Sequence, residues 1–157
     1  MTEIERIADQ LKRSFEGNAW HGPAVREVLK NISAAEAVEH PIPGAHSIWE
    51  LTMHIGAWEG AAVRRLNGDR AELADEEDWA PLSGQDENAW QATLAKLEAG
   101  NQALIEAVAK LEHYRLDEPI LEGMPTVYVT LHGVIQHNLY HAGQIAILKR
   151  ALAGRKL

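Results

Sequence analysis

The chain of 157 residues contains no cysteine. That absence removes disulfides, thiolate metal ligands and a cysteine nucleophile from consideration, and it fits a reducing compartment. Basic charge is also scarce. Fifteen Lys and Arg stand against 23 Asp and Glu, for a formal net charge of −8. A domain this acidic repels a phosphate backbone, and its basic runs are no longer than pairs such as Arg64-Arg65 and Arg155-Lys156, so a nucleic-acid partner is not expected. No window approaches the roughly 18 consecutive apolar residues of a membrane span. Residues 1–10 have neither the basic start nor the apolar run of a secretory signal. The expected location is cytoplasmic. Missing as well are His-Glu-x-x-His, Gly-x-Ser-x-Gly, a phosphate loop and a dinucleotide fingerprint. A di-iron carboxylate bundle needs two Glu-x-x-His motifs and two further glutamates, and neither the helix of His54 nor that of His137 and His141 has a Glu-x-x-His.

What the chain does have is helical period. Ile4, Ile7, Ala8, Leu11 and Phe15 recur at steps of three and four, and Gly17-Asn18 stops that stripe. A short helix follows, with Pro23 near its first turn and Val25, Val28, Leu29 and Ile32 inward. Pro41, Pro43 and Gly44 mark a loop. Ser47-Ile48-Trp49-Glu50 reads as a capping box that opens a helix with the stripe Ile48, Leu51, Ile55, Trp58, Ala62 and Leu66. Asn67-Gly68 ends it. Segment 67–84, with the acidic run Asp75-Glu76-Glu77-Asp78, reads as a solvated connector, although loops of that length are often functional. The next helix carries Trp90, Leu94, Leu97, Asn101, Leu104, Val108 and Leu111 at the spacing of bundle packing. Asn101 interrupts its apolar stripe and must find a partner, so it is either a core hydrogen bonder or near a polar site. After Met124-Pro125 a last helix runs to about Ala153. The β-like composition of residues 126–130 is outweighed by an unbroken 3.6-residue period through Val134, Ile145, Leu148 and Leu152. The expected architecture is all-α: one domain over residues 1–157, a four-helix bundle of the up-down type with one extra short helix.

The chemistry concentrates in histidine, of which there are eight. His137 and His141 are four apart and fall on the inward stripe of the last helix, so one helix offers two imidazoles to one point. His54 lies beside the stripe of its own helix, three after Leu51 and four before Trp58, and leans inward too. Three imidazoles in one core either share a metal ion or each find separate hydrogen-bond partners. His46, His40 and His113 read as loop residues or element ends, and His132 is turned about half a revolution from His141. His21, in Trp20-His21-Gly22-Pro23, either approaches the site or lines a turn. Glu50 is one turn before His54 and could serve as a ligand or acceptor, in competition with its capping role. Gln144 is one turn beyond His141 and could orient a ligand. Tyr140, Trp49 and Trp58 are helically near the ligands and wall the pocket or pack the core.

Three stretches in this order, His46-Ser47-Ile48-Trp49-Glu50-Leu51 with His54, His132 to His137, and Tyr140-His141-Ala142-Gly143-Gln144-Ile145, resemble the DinB/YfiT-like superfamily. Trp20-His21-Gly22-Pro23 resembles a segment of one branch of it. The resemblance spans nearly the whole chain. It implies a four-helix bundle, often a homodimer, with a divalent metal, zinc or nickel, on His54, His137 and His141. It also implies a small-molecule substrate. Some relatives are thiol S-transferases that use low-molecular-weight thiols such as bacillithiol or mycothiol, and others look like metal-dependent hydrolases or isomerases. The expectation is therefore a metal-dependent transferase acting through such a thiol, with a metal-dependent hydrolase or a non-catalytic metal-binding helical protein as alternatives. Three protein ligands leave an open position, which in zinc proteins is the catalytic type. An ion there lowers the pKa of water, which suits hydrolysis, or ionises a thiol, which suits transfer.

Overall fold

The computed structural model describes residues 1–154, and the pair Arg155-Lys156 lies outside them. Four long helices build the bundle: α1 (Glu3–Glu16), α4 (Ile48–Leu66), α6 (Glu87–Ala109) and α7 (Val127–Gly154). Each begins or ends where local chemistry dictates. Thr2 caps α1 and Ser47 caps α4 in reciprocal capping boxes with Glu5 and Glu50, and the Asp86 carboxylate accepts from the Ala89 amide at 2.8 Å to open α6. Gly17 (φ 148°) and Asn18 (φ 61°) turn the chain out of α1 through a region that disfavours most side chains.

Helical period does not announce every element. The short helix α2 is confined to Val25–Leu29, since Lys30 is extended (ψ 135°) and Asn31 takes a positive φ, and Ile32 is buried in the segment beyond it. Two further short helices appear, α3 (Ala34–Ala37) and α5 (Asp75–Asp78), with a 3-10 turn at His113–Asp117. So the expected connector 67–84 holds a turn of helix. Among the described residues there is no β-strand, only an isolated bridge between Pro119 and Thr126. The β-branched start of α7 is helical because Val127 and Leu131 are carried into the core.

α4 and α1 each pack against both α6 and α7, which puts α1 and α4 at opposite corners. Segments 17–47 and 110–126 carry the chain across the diagonals. The core has two clusters. One gathers Phe15, Trp49, Ile55, Trp90, Leu97 and Ile145; the other gathers Ile7, Leu11, Leu104, Val108, Leu116 and Leu131. The indole N–H groups of the two buried tryptophans are satisfied: Trp90 donates to the Ile32 carbonyl at 2.8 Å and Trp49 to the Thr93 hydroxyl at 3.1 Å. No helix among the described residues is long and apolar enough to cross a membrane.

Candidate metal centre

Where α4 and α7 face each other, three histidines meet. The i, i+4 spacing stacks His137 and His141 on one face of α7, and their rings are 4.4 Å apart between centroids. His54 reaches across from α4, with ring centroids 4.9 Å from His137 and 4.7 Å from His141. His54 and His141 are only 7% and 6% exposed. Their ligand-capable atoms all lie within 4.8 Å of one another. The Nε2 of His137 is 3.0 Å from that of His54 and 3.1 Å from that of His141.

The far side of two rings is already engaged. His54 Nδ1 lies 2.9 Å from Asp78 Oδ1 and 3.1 Å from the Asp78 carbonyl, both pure acceptors, so it carries the hydrogen. His141 Nδ1 donates to the Gln144 amide oxygen at 2.6 Å. Both Nε2 atoms are therefore left as lone pairs pointing at His137 Nε2. One hydrogen on His137 can satisfy only one of them, and His137 Nδ1 is itself buried without a partner. A cation among the three nitrogens would satisfy them all. Ligand nitrogens around a tetrahedral zinc ion lie about 3.3–3.4 Å apart, close to the spacing seen here. The donor set fits a divalent ion held on three neutral imidazoles.

The electrostatics agree. Burial pushes His137 down to about 4, with His141 and His54 adding to the effect and Asp78 opposing it. Burial also lowers His141, against the bond from Gln144. Both rings are neutral at pH 7, the protonation state that a metal requires.

The other candidate residues divide. Gln144 holds His141. Trp58 donates its indole N–H to Asp78 Oδ1 at 2.7 Å and sets its ring edge toward His54, with centroids 6.4 Å apart. Tyr140 is exposed and meets the edge of His141 at 5.0 Å between centroids. Trp49 is buried in the core cluster and packs on Trp90. Glu50 stands apart from the cluster: its carboxylate takes the Ser47 amide at 2.7 Å and His40 Nε2 at 3.1 Å, and lies 3.5 Å from His46 Nδ1. His21 is exposed in the turn ahead of α2 and outside the three-histidine group. His132 packs on Tyr128, and His113 is exposed.

Three contributors escape the sequence reading. Asp78, at the end of α5, orients His54 and Trp58 together. Trp79 stacks between His46 and His54, with centroids 3.5 Å and 3.9 Å away and planes within 4° and 7° of parallel. Nothing in the acidic run 75–78 says that the connector folds back onto α4. The third is Glu59, 0% exposed, whose Oε1 accepts from Asn101 at 2.8 Å and Asn138 at 2.7 Å. It stands four after Ile55 and three before Ala62, beside the stripe drawn through Trp58. Asn101 thus finds its partner in the core.

A cavity of about 380 Å³ adjoins the cluster, lined by Trp58, His137 and Thr130 and otherwise mostly by apolar residues, with Arg65 as its charged member.

The model of the DinB superfamily matches residues 19–145. A crystal structure of a conserved protein from Enterococcus faecalis is similar to this fold over 98% of this chain and 99% of its own, with a TM-score of 0.74 and 18% identity. No curated protein matches the chain.

Proposed function

The chain belongs to the DinB superfamily, and from that premise we propose that it holds one divalent metal ion, zinc or nickel, on the Nε2 atoms of His54, His137 and His141, and that it is a metal-dependent transferase acting through a low-molecular-weight thiol. The observation that carries the metal reading is the set of converging nitrogens: two lone pairs aimed at one neighbouring nitrogen, with the opposite nitrogen of each ring already bonded to Asp78 or Gln144. Such a group is costly without a cation and ordinary with one.

The enzyme reading rests on ligand count and surroundings. Structural zinc sites are closed by four protein ligands, whereas three histidines leave a position for a reacting molecule. A bound ion supplies Lewis-acid chemistry, polarising or ionising the group that reaches it. The chain's own residues do the rest. Asp78 and Gln144 fix ring orientation, Trp79 and Trp58 keep solvent from His54, and the neighbouring cavity receives the molecule to be transformed.

The test is elemental analysis of the wild type beside His141→Ala, followed by conjugation of an electrophile with a panel of low-molecular-weight thiols and, in parallel, hydrolysis of simple esters and amides. We expect one metal ion per chain, lost in His141→Ala, and turnover in the thiol arm. A wild type that takes up no stoichiometric metal would sink the whole reading. Full metal with hydrolysis alone would replace transfer by hydrolysis. A large drop in melting temperature on chelation without turnover would leave a metal that merely ties α4 to α7.

A further inference from the structure

We propose that the cavity beside the histidines is a substrate subsite and that Arg65 reads a carboxylate in it, so that the molecule taken there is small, mostly apolar and singly anionic at the end that meets Arg65. The inference deepens the functional reading above and rests on it only in treating His137 as the reacting end.

Arg65 sits in the last turn of α4 and is half-buried. Its neighbours in sequence are neutralised: Arg64 pairs with Asp69 at 2.7 Å and Arg70 with Glu72 at 3.0 Å. Among the described residues Arg65 has no carboxylate partner. Its Nε donates to the Arg70 carbonyl at 3.3 Å and its Nη2 to the Ala71 carbonyl at 3.1 Å. Main-chain carbonyls orient a guanidinium but leave its charge whole. The guanidinium carbon also lies 5.5 Å from the centre of the Trp58 ring, and that ring is 6.1 Å from His137. One tryptophan therefore bridges the cation and the candidate metal ligand. In a chain with eight more acidic than basic residues, a partly buried arginine left without a carboxylate is the feature to explain.

The wall around it defines the class of molecule. Ala62, Ile120, Met124, Pro125 and Val134 are apolar. The Thr130 hydroxyl is spent on the Thr126 carbonyl and the Trp58 N–H on Asp78. The protein's own side chains therefore offer one fixed positive charge and few free donors. The guanidinium edge that the two main-chain carbonyls leave free suits a planar carboxylate, whose single charge it matches. A volume of about 380 Å³ is near the small end of ligand pockets.

The probes are 3-phenylpropionate and its neutral isostere 3-phenylpropionamide, titrated calorimetrically into full-length, metal-free protein. The acid should bind about tenfold or more tightly than the amide, as expected for a charged hydrogen-bonded pair. Arg65→Gln should bring the acid down to the amide's affinity and leave the amide unchanged, which also reports an intact cavity. Arg65→Lys keeps the charge without the fork, and an intermediate preference there carries the test if Arg65→Gln does not fold. Gly133 lines the same cavity at a point where an added Cβ meets nothing within 4 Å. Gly133→Leu should fill the space and weaken both probes. Equal affinity for acid and amide, a preference that survives Arg65→Gln, or no binding of either probe at millimolar concentration overturns the proposal. So does a preference that appears only with added zinc and vanishes in His141→Ala, because the ion would then be the anion reader. Metal content is measured separately, so this subsite and the metal centre can fail independently.

Discussion

Glu59→Gln should remove a pH dependence of stability that the core builds in. Glu59 is fully buried, has no cationic partner, and keeps only one carboxylate oxygen bonded, to Asn101 and Asn138. Its Oε2 and the Asn138 Oδ1 are both unpartnered. Burial raises its pKa from 4.5 to about 7, with the two asparagine bonds opposing only in part. The sign follows from proton counting. Between pH 4.5 and 7 the unfolded chain has released this proton while the folded chain keeps it, so stability falls as pH rises. The contribution is fully present below about 4.5 and gone once the pH has passed 7. At 1.36 kcal/mol per pKa unit, the loss is about 3 kcal/mol. Glutamine mimics the protonated acid: its oxygen can accept from both asparagines, and its amide can donate to Asn138 Oδ1. One amide hydrogen is left over, at a cost of roughly 1 kcal/mol or more, but that offset is the same at every pH. The quantity to measure is therefore the difference in unfolding free energy between Glu59→Gln and wild type, from urea titrations between pH 4.5 and 8 with chelator present. Histidine titrations are common to both proteins and cancel. The difference should move by about 3 kcal/mol in favour of Glu59→Gln across the range. Curves that stay parallel within 1 kcal/mol would refute the reasoning and mean that the buried carboxylate finds a proton-independent partner.

Three other outcomes are expected. Gln144→Leu, which leaves the His141 Nδ1–H without its acceptor, should weaken zinc binding about 10- to 100-fold in competition with a chromophoric chelator; Asp78→Ala should cost less, since the residue-78 carbonyl stays within reach of His54. Leu104→Ala, at a position with no exposed surface between α1 and α7, should lower stability by about 2–5 kcal/mol in denaturant titration with metal binding unchanged.

The long helices were legible because each has to bury a stripe, and the period of that stripe is written in residue order. The capping box of Ser47 marks where α4 starts for an equally local reason, and the structure shows Thr2 and Asp86 doing the same for α1 and α6. The two α7 histidines were legible on the same ground, as imidazoles standing where the stripe calls for apolar side chains. His54 needed more, since its stripe only leans it toward a neighbour that the sequence does not name. Asp78 and Trp79 were not legible at all. They lie in an aperiodic segment whose composition suits solvent, and their return to α4 depends on tertiary contacts with His54, Trp58 and His46 that no local pattern encodes. Glu59 failed for a different reason. A stripe drawn through Trp58 passes beside it, and a charged residue on an inward face reads as a register error unless a partner such as Asn138 is known to lie opposite.

These parts explain why the histidine group can be precise although its ligands come from distant stretches of chain. The His137–His141 geometry is internal to α7: helical rise sets the spacing, and Gln144, on the same helix, fixes the second ring. What must be controlled from outside is the register of α4 against α7, because that sets how close His54 comes. The Glu59–Asn138 hydrogen bond ties those two helices one turn away, at a residue adjacent to His137. A hydrophobic contact there would tolerate sliding, whereas a buried carboxylate with two amide donors keeps both bonds in one register only and loses heavily elsewhere. The connector then sets the remaining freedom, the rotation of the His54 ring, by gripping its Nδ1 with Asp78 and pressing Trp79 against its face. The buried carboxylate whose stability contribution fades as the pH rises toward 7 is thus also the group that ties α4 to α7 beside the histidines, a bond that leucine at position 59 could not make.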